Sequence, residues 1–298
     1  MNIRKRKLGR TGLQVTEIGL GAMDTPQTEE GVETLQLALN LGINFIDTAR
    51  DYPGSEYLIG QAIRARGPKD LCIGTKTFNR TRDGSQYDVD KSLQVLGLDT
   101  VDLYQLHDVS SLESWERVMQ EGGALEGLQI ARMRGLIRYI GLSSHSLEVL
   151  DQAITCGEFD TVMVEYSAFF PHANRLIAKA KELDIGVIAM RPLGGSGRMS
   201  SLRSRWASGY QGHLTPAKLL AYALSNADIS VAIPGVRFPS RVRENVELAS
   251  TYQPLSATER RECLANTLFR HGHWQAIARH RPCPCRLKHP TARAFQGH

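Results

Sequence analysis

The sequence predicts a closed (β/α)8 barrel of the TIM type, with an N-terminal β-hairpin capping the barrel bottom. Three observations predict it. Eight short, nearly continuous apolar runs recur along the 298 residues, separated by stretches of helical period. Three of those runs stop on an ionisable residue at the C-terminal end, where a parallel barrel gathers its chemistry. The first run, Ile18 to Gly21, continues to Met23-Asp24 without a GxGxxG, the fingerprint a doubly wound dinucleotide sheet would want.

The elements follow in order. Arg6 to Gly9 and Gln14 to Thr16, with Thr11-Gly12 at the turn, read as the hairpin. The runs are Ile18 to Gly21, Ile43 to Asp47, Leu71 to Lys76, Val101 to His107, Tyr139 to Ser143, Thr161 to Val164, Gly186 to Met190 and Ile229 to Pro234. Between them, Val32, Leu35 and Leu39 share one helical face after Thr28, a candidate N-cap. A helix enters at Ser55-Glu56. Ser110 with Glu113 makes a capping box ahead of Trp115 and Val118, and helices are expected over Asn174 to Leu183 and Pro216 to Leu224. Alternating units of this kind build a parallel sheet, and eight of them close it. The barrel domain is expected over 1–269, followed by a basic tail over 270–298, irregular or disordered.

Composition narrows the function classes. The net charge of +5 is uneven: Arg270 to His298 holds six Lys/Arg and no Asp/Glu, so the rest carries 5 − 6 = −1. A basic terminus of this kind reads as solvated, and no nucleic-acid module or cationic groove is evident before it. No run approaches the length of a membrane span, and the basic N-terminus lacks the apolar core of a secretory signal. A cytoplasmic protein without nucleic-acid or membrane partners is the expectation. Five scattered cysteines argue against a disulfide framework, and the spacing of Cys283-Pro-Cys285 is too short for the usual zinc or iron–sulfur patterns. No metal is expected.

If the runs are strands, Asp47, Tyr52, Lys76 and His107 gather at one rim. A buried lysine needs a counter-ion, and Asp47 on the adjacent strand supplies it. A phenol with a pKa of about 10 is a weak acid at neutral pH. An ammonium beside it favours phenolate and lowers that pKa, so Tyr52 is placed to protonate an oxygen gaining negative charge. A neutral His107 is placed to orient that oxygen by a hydrogen bond. A carbonyl that receives hydride from a cofactor is such an oxygen. Each residue alone also fits a plainer role: a structural ion pair, a core histidine, a packed loop tyrosine. Their coincidence at strand ends favours a site.

The motifs NFIDTARDYPGSEYLIG, LCIGTKT, VDLYQLHDV, GLIRYIGLSSH and AIPGVRFPSRVRENVE, in that order, resemble those of the aldo-keto reductase family over roughly Arg6 to Ser256. The resemblance implies a (β/α)8 barrel, NADPH-linked reduction of a small carbonyl substrate, and a catalytic tetrad falling on Asp47, Tyr52, Lys76 and His107. For the cofactor it implies Gly21, Ser143, Ser144, Met163, Met190, Leu193, Gly195, Gly235, Arg237, Arg241, Glu244 and Asn245. Ser143 matches the serine that binds the nicotinamide amide. Ser144, Met163 and Met190 stand where many members carry asparagine, glutamine and a ring-stacking tyrosine. Leu193 to Arg198 resembles the loop over the pyrophosphate, where glycines let backbone N–H groups approach phosphate. Arg241 and Asn245 match the positions for the 2′-phosphate and adenine, and Arg237 offers the charge that Gly235 lacks. NADPH is thereby favoured over NADH. Trp206 and Tyr210, within Met199 to His213, suggest an aromatic or anionic carbonyl compound. The alternative is an NADP(H)-binding regulatory or redox-sensor protein with little turnover, and the intact tetrad argues against it.

Overall fold

The computed structural model describes residues 2–67, 70–195 and 214–268. The expected tail over 270–298, with Cys283 and Cys285, and the stretch with Trp206 and Tyr210 lie outside the described residues.

A two-stranded antiparallel hairpin, β1 (Lys5–Lys7) and β2 (Gln14–Thr16), precedes the barrel. The barrel strands are β3 (Leu20–Gly21), β4 (Phe45–Asp47), β5 (Cys72–Thr77), β6 (Val101–Leu106), β7 (Ile137–Ser144), β8 (Thr161–Glu165), β9 (Gly186–Met190) and β10 (Val231–Ile233). They pair in sequence order, all parallel. The seam closes through bridges from Ile18 to Ala232 and Gly21 to Gly235, where the Gly19 N–H donates to the Ala232 carbonyl at 2.8 Å. Each apolar run of the sequence overlaps one strand, and three of the strands extend one or two residues beyond it. Parallel strands covered on both faces need continuous hydrophobicity, which is why they were legible.

Helices α1 (Glu29–Asn40), α2 (Ser55–Arg66), α3 (Arg82–Leu96), α4 (Leu112–Met119), α5 (Ala124–Met133), α6 (Leu147–Thr155), α7 (Asn174–Glu182) and α8 (Pro216–Leu224) intervene between strands. Thr28 caps α1 as expected, its hydroxyl accepting from the Gly31 N–H. The capping box of α4 lies one residue later than expected, on Ser111 and Ser114. Ser110 is occupied elsewhere: its hydroxyl donates to the Asp108 carboxylate and accepts the His145 N–H at 2.9 Å.

After the last strand come α9 (Pro239–Thr251) and α10 (Ala257–Leu268). The last helix was not anticipated. It starts on a reciprocal box in which Ser256 N–H donates to Glu259 at 2.8 Å and Glu259 N–H donates to the Ser256 hydroxyl at 3.3 Å. It is tied to the barrel by Arg260 donating to the Tyr166 hydroxyl at 2.9 Å and by Thr267 donating to the Ala168 carbonyl at 3.0 Å.

The main core lies between strands and helices, and a second cluster fills the barrel interior from Phe45, Leu103, Met163 and Ile188 to the hairpin residues Leu8 and Val15. The hairpin plugs the N-terminal end. Gly9 takes φ +49° there, and a Cβ on it would stand 2.1 Å from the Gly186 nitrogen, so only glycine fits. The Tyr139 hydroxyl donates to the Thr11 carbonyl at 2.7 Å, pinning the hairpin to β7. With the bottom closed, chemistry is left to the opposite rim.

Candidate active site

The rim is built from consecutive strand ends. Asp47 ends β4, Lys76 is next to last in β5, and His107 follows β6. All three are buried. Tyr52 comes from the loop after β4, where its N–H donates to the Ala49 carbonyl at 3.1 Å and folds the loop back over the strand ends.

Lys76 has a side chain with no exposed surface, and its Nζ reaches Asp47 Oδ1 at 2.7 Å, Oδ2 at 2.8 Å and the Thr48 carbonyl at 2.6 Å. The Gln105 amide approaches Asp47 from beneath at 3.5 Å. Lys76 Nζ lies 5.0 Å from the centre of the Tyr52 ring, and the Tyr52 and His107 rings meet edge to face at 5.5 Å. Phe78 makes a second edge-to-face contact with His107, at 5.7 Å. The four sequence-predicted residues form one cluster.

Its electrostatics differ from expectation at one point. Burial, then the Asp47 and Asp51 carboxylates, push the Tyr52 phenol well above its ordinary range, whereas the sequence reading expected Lys76 to lower it. The reason is geometric. Asp47 answers the ammonium at contact distance, so little net positive charge is felt at the phenol. Among the described residues no hydrogen bond joins Lys76 to the Tyr52 hydroxyl. Tyr52 is therefore held as the protonated acid. Burial lowers Lys76, opposed by Asp47, and raises Asp47, opposed by Lys76. Burial also lowers the His107 imidazole, which favours its neutral form, against the Asp51 carboxylate, which favours the charged one.

Sequence reasoning missed Asp51. Its carboxylate lies 3.2 Å from His107 Nδ1. It also missed Asp108, which follows His107 with φ +49°, a left-handed turn unusual for a non-glycine residue. Ser143 holds that turn, its hydroxyl accepting the Asp108 N–H at 2.9 Å and its carbonyl accepting the Val109 N–H at 2.9 Å. An acidic residue directly before Tyr52 was the visible signal for the first; nothing in the sequence marked the second.

The residues assigned to the cofactor are placed unevenly. Ser143 ends up at the rim beside His107. The Ser144 hydroxyl accepts the Ser146 N–H at 2.9 Å, a local turn contact. The Met163 side chain is enclosed in the barrel interior, one inward position below the rim, and Met190 lies partly exposed at the end of β9. Leu193 packs into the main core. Gly194 and Gly195 follow with φ +85° and +89°, and among the described residues the nearest atom to a Cβ on Gly195 would be Arg191 Cδ at 3.7 Å. Ser196, Gly197 and Arg198 lie outside the described residues.

Gly21 and Gly235 meet at the barrel seam, where a Cβ on Gly21 would stand 3.2 Å from the Ile233 carbonyl oxygen. Close packing of strands thus accounts for Gly21. Arg237 lies 3.4 Å from Asp24, and Arg241 pairs with Glu244 at 2.9 Å in the first turns of α9. Asn245 is buried on the same helix. A helix N-terminus flanked by two arginines suits a phosphorylated dinucleotide.

The model of the aldo/keto reductase family matches residues 17–210, most of the chain. The chain belongs to the aldo/keto reductase family. It is accordingly an NAD(P)H-dependent oxidoreductase. An uncharacterized oxidoreductase of Bacillus subtilis, YqkF, is 28% identical over 288 residues, covering 83% of this chain and 92% of the relative. L-galactose dehydrogenase of Arabidopsis thaliana is 28% identical over 292 residues, covering 85% and 90%. Among solved structures, the aldo-keto reductase AKR11C1 from Bacillus halodurans shares the fold with a TM-score of 0.75 at 24% identity, covering 89% of this chain and 96% of its own. A thermostable aldo-keto reductase solved with the inhibitor epalrestat gives 0.70 at 28% identity, covering 88% and 98%. Within this family, the rim cluster is the candidate active site. No helix among the described residues is long and apolar enough to cross a membrane.

Proposed function

We propose that this reductase converts an aldehyde or ketone to an alcohol with NADPH, and that Tyr52 delivers the proton. One observation carries the reading: a fully buried Lys76–Asp47 pair at 2.7 Å lies under the ring of a tyrosine whose phenol is held as the acid. When bound, the dinucleotide supplies hydride to the carbonyl carbon. Tyr52 then gives its phenolic proton to the oxygen as negative charge builds there. The phenolate left behind is compensated by Lys76, whose place Asp47 and the Thr48 carbonyl fix. His107 faces the same oxygen. Ser143 braces the backbone that carries His107.

Gly195 and the N-terminus of α9 would hold the phosphates, with Arg241 and Arg237 on the 2′-phosphate. Those two cations, paired at present with Glu244 and Asp24, would favour NADPH over NADH by answering the charge of the 2′-phosphate. The L-galactose dehydrogenase relative suggests that hydroxylated substrates belong in any screen.

The test is a panel of aldehydes, ketones and aldoses with NADPH and with NADH, followed by loss of reduced-cofactor absorbance. Turnover on at least one carbonyl class, with lower KM for NADPH, is expected. Tight NADPH binding without turnover on any class would overturn the reading in favour of a redox sensor.

A further inference from the structure

The mechanism above uses one nitrogen of His107, and the structure constrains which. Nδ1 lies 3.2 Å from the Asp51 carboxylate, and both side chains are largely withdrawn from solvent, 6% and 17% exposed. A carboxylate offers only acceptors, so the bond needs a proton on Nδ1. A neutral imidazole carries one N–H, so Nε2 is then a bare lone pair. Among the described residues no hydrogen bond to Nε2 competes for it. A lone pair directed at a substrate oxygen that is gaining negative charge repels it; an N–H there would stabilise it.

We propose that Asp51 is a positioning residue that fixes the tautomer of His107, so that His107 donates a hydrogen bond to the substrate oxygen only as the imidazolium. The proposal rests on the reading of His107 as the group that faces that oxygen. It departs from the expectation of a hydrogen bond donated by a neutral His107. No bond beyond those already described is made or broken: hydride still goes to carbon and the Tyr52 proton to oxygen, while the imidazolium keeps both its protons.

The groups around the ring set where that imidazolium exists. Asp51 favours it from the loop after β4, and Asp108 favours it from the residue that follows. Lys76 on β5 opposes it, and the protonated Tyr52 phenol meets the ring by its edge. Arg80, on the loop after β5, donates to the Asp108 carbonyl at 3.0 Å and adds positive charge nearby. Burial is the largest influence and also opposes the imidazolium, so reduction is favoured on the acid side of neutrality.

The test joins a spectroscopic reading with a pH profile. Nitrogen-15 spectra of imidazole-labelled protein at neutral pH, with His107 assigned by signal loss in His107→Gln, are expected to show Nδ1 protonated and Nε2 bare. In wild type, reductase kcat/KM is expected to fall about tenfold per pH unit above the His107 pKa. Asp51→Leu is close in size and removes the acceptor, so nothing holds the proton on Nδ1 and the neutral ring can carry it on Nε2. That variant should show the Nε2–H tautomer and a profile flattened across the neutral range. An Nε2–H signal in wild type overturns the proposal, as does an unchanged profile in Asp51→Leu. The spectra read out without any turnover, so a protein lacking reductase activity would still decide the tautomer.

Discussion

Two buried cation–carboxylate sites stand at opposite ends of this barrel, and they do different work. At the bottom, the Glu17 side chain has no exposed surface and accepts from Arg4 at 3.0 Å, Arg6 at 2.8 Å and the Tyr252 hydroxyl at 3.0 Å. Arg6 also donates to the carbonyls of Leu224, Asn226 and Ile229, so the hairpin is riveted to the far end of the chain. At the rim, Lys76 and Asp47 are as deeply buried, but their neighbours are Tyr52 and His107, each displaced from its ordinary pKa by burial. The chemistry of the pair is the same. What differs is the company: Tyr252, whose phenol burial pushes up to about 12, donates its proton to Glu17, whereas among the described residues the Tyr52 hydroxyl makes no hydrogen bond to Lys76 or Asp47. A buried ion pair alone therefore says nothing of function; its neighbours do.

The largest effect should come from breaking the rim pair. Lys76→Ala strands a buried carboxylate and is expected to lower stability by about 3–5 kcal/mol. It should also lower turnover by orders of magnitude. The double variant Lys76→Met/Asp47→Leu should regain much of the stability in a denaturant titration yet remain inactive. Activity in the double variant would erase the distinction between the two ends.

At the bottom, Glu17→Gln should cost about 1.5–3 kcal/mol, the range for hydrogen bonds to charged groups. Turnover per folded molecule should be unchanged. A selective fall in kcat there would show that the bottom site communicates with the rim. The smallest effect is expected at the cofactor end. Arg241→Ala should weaken NADPH binding about tenfold, by loss of one charge-assisted contact worth about 1.4 kcal/mol, and leave NADH binding unaltered. Equal weakening of both would remove Arg241 from the 2′-phosphate.

The same comparison explains what the sequence could reveal. Ile43 to Asp47 and Leu71 to Lys76 read as strands because both faces of each are covered, and Asp47 and Lys76 stand out because charge interrupts apolar runs. Arg6 and Glu17 carried no such mark, since the contacts that tie them to the far end of the chain, at Leu224 and Tyr252, lie more than 200 residues away. The α4 capping box was misplaced by one residue because two serines adjoin, and only the fold gives Ser110 to Asp108 and His145. Ser256 and Glu259 had the right spacing for a helix start and were passed over, as the helix they open has little apolar periodicity. The acidity of Tyr52 was misjudged for a different reason. Sequence names the groups near a phenol but not that Asp47 cancels Lys76 at contact distance. Asp51 was in plain view beside Tyr52, yet its pairing with His107 depends on how the loop turns back at Ala49.

The central claim is that the rim of the barrel moves a proton through Tyr52, and Tyr52→Phe tests it most directly. Calorimetry should show NADPH binding essentially as in wild type, while single-turnover carbonyl reduction falls about 10²–10⁴-fold. Reduction at the wild-type rate in that variant would contradict the account.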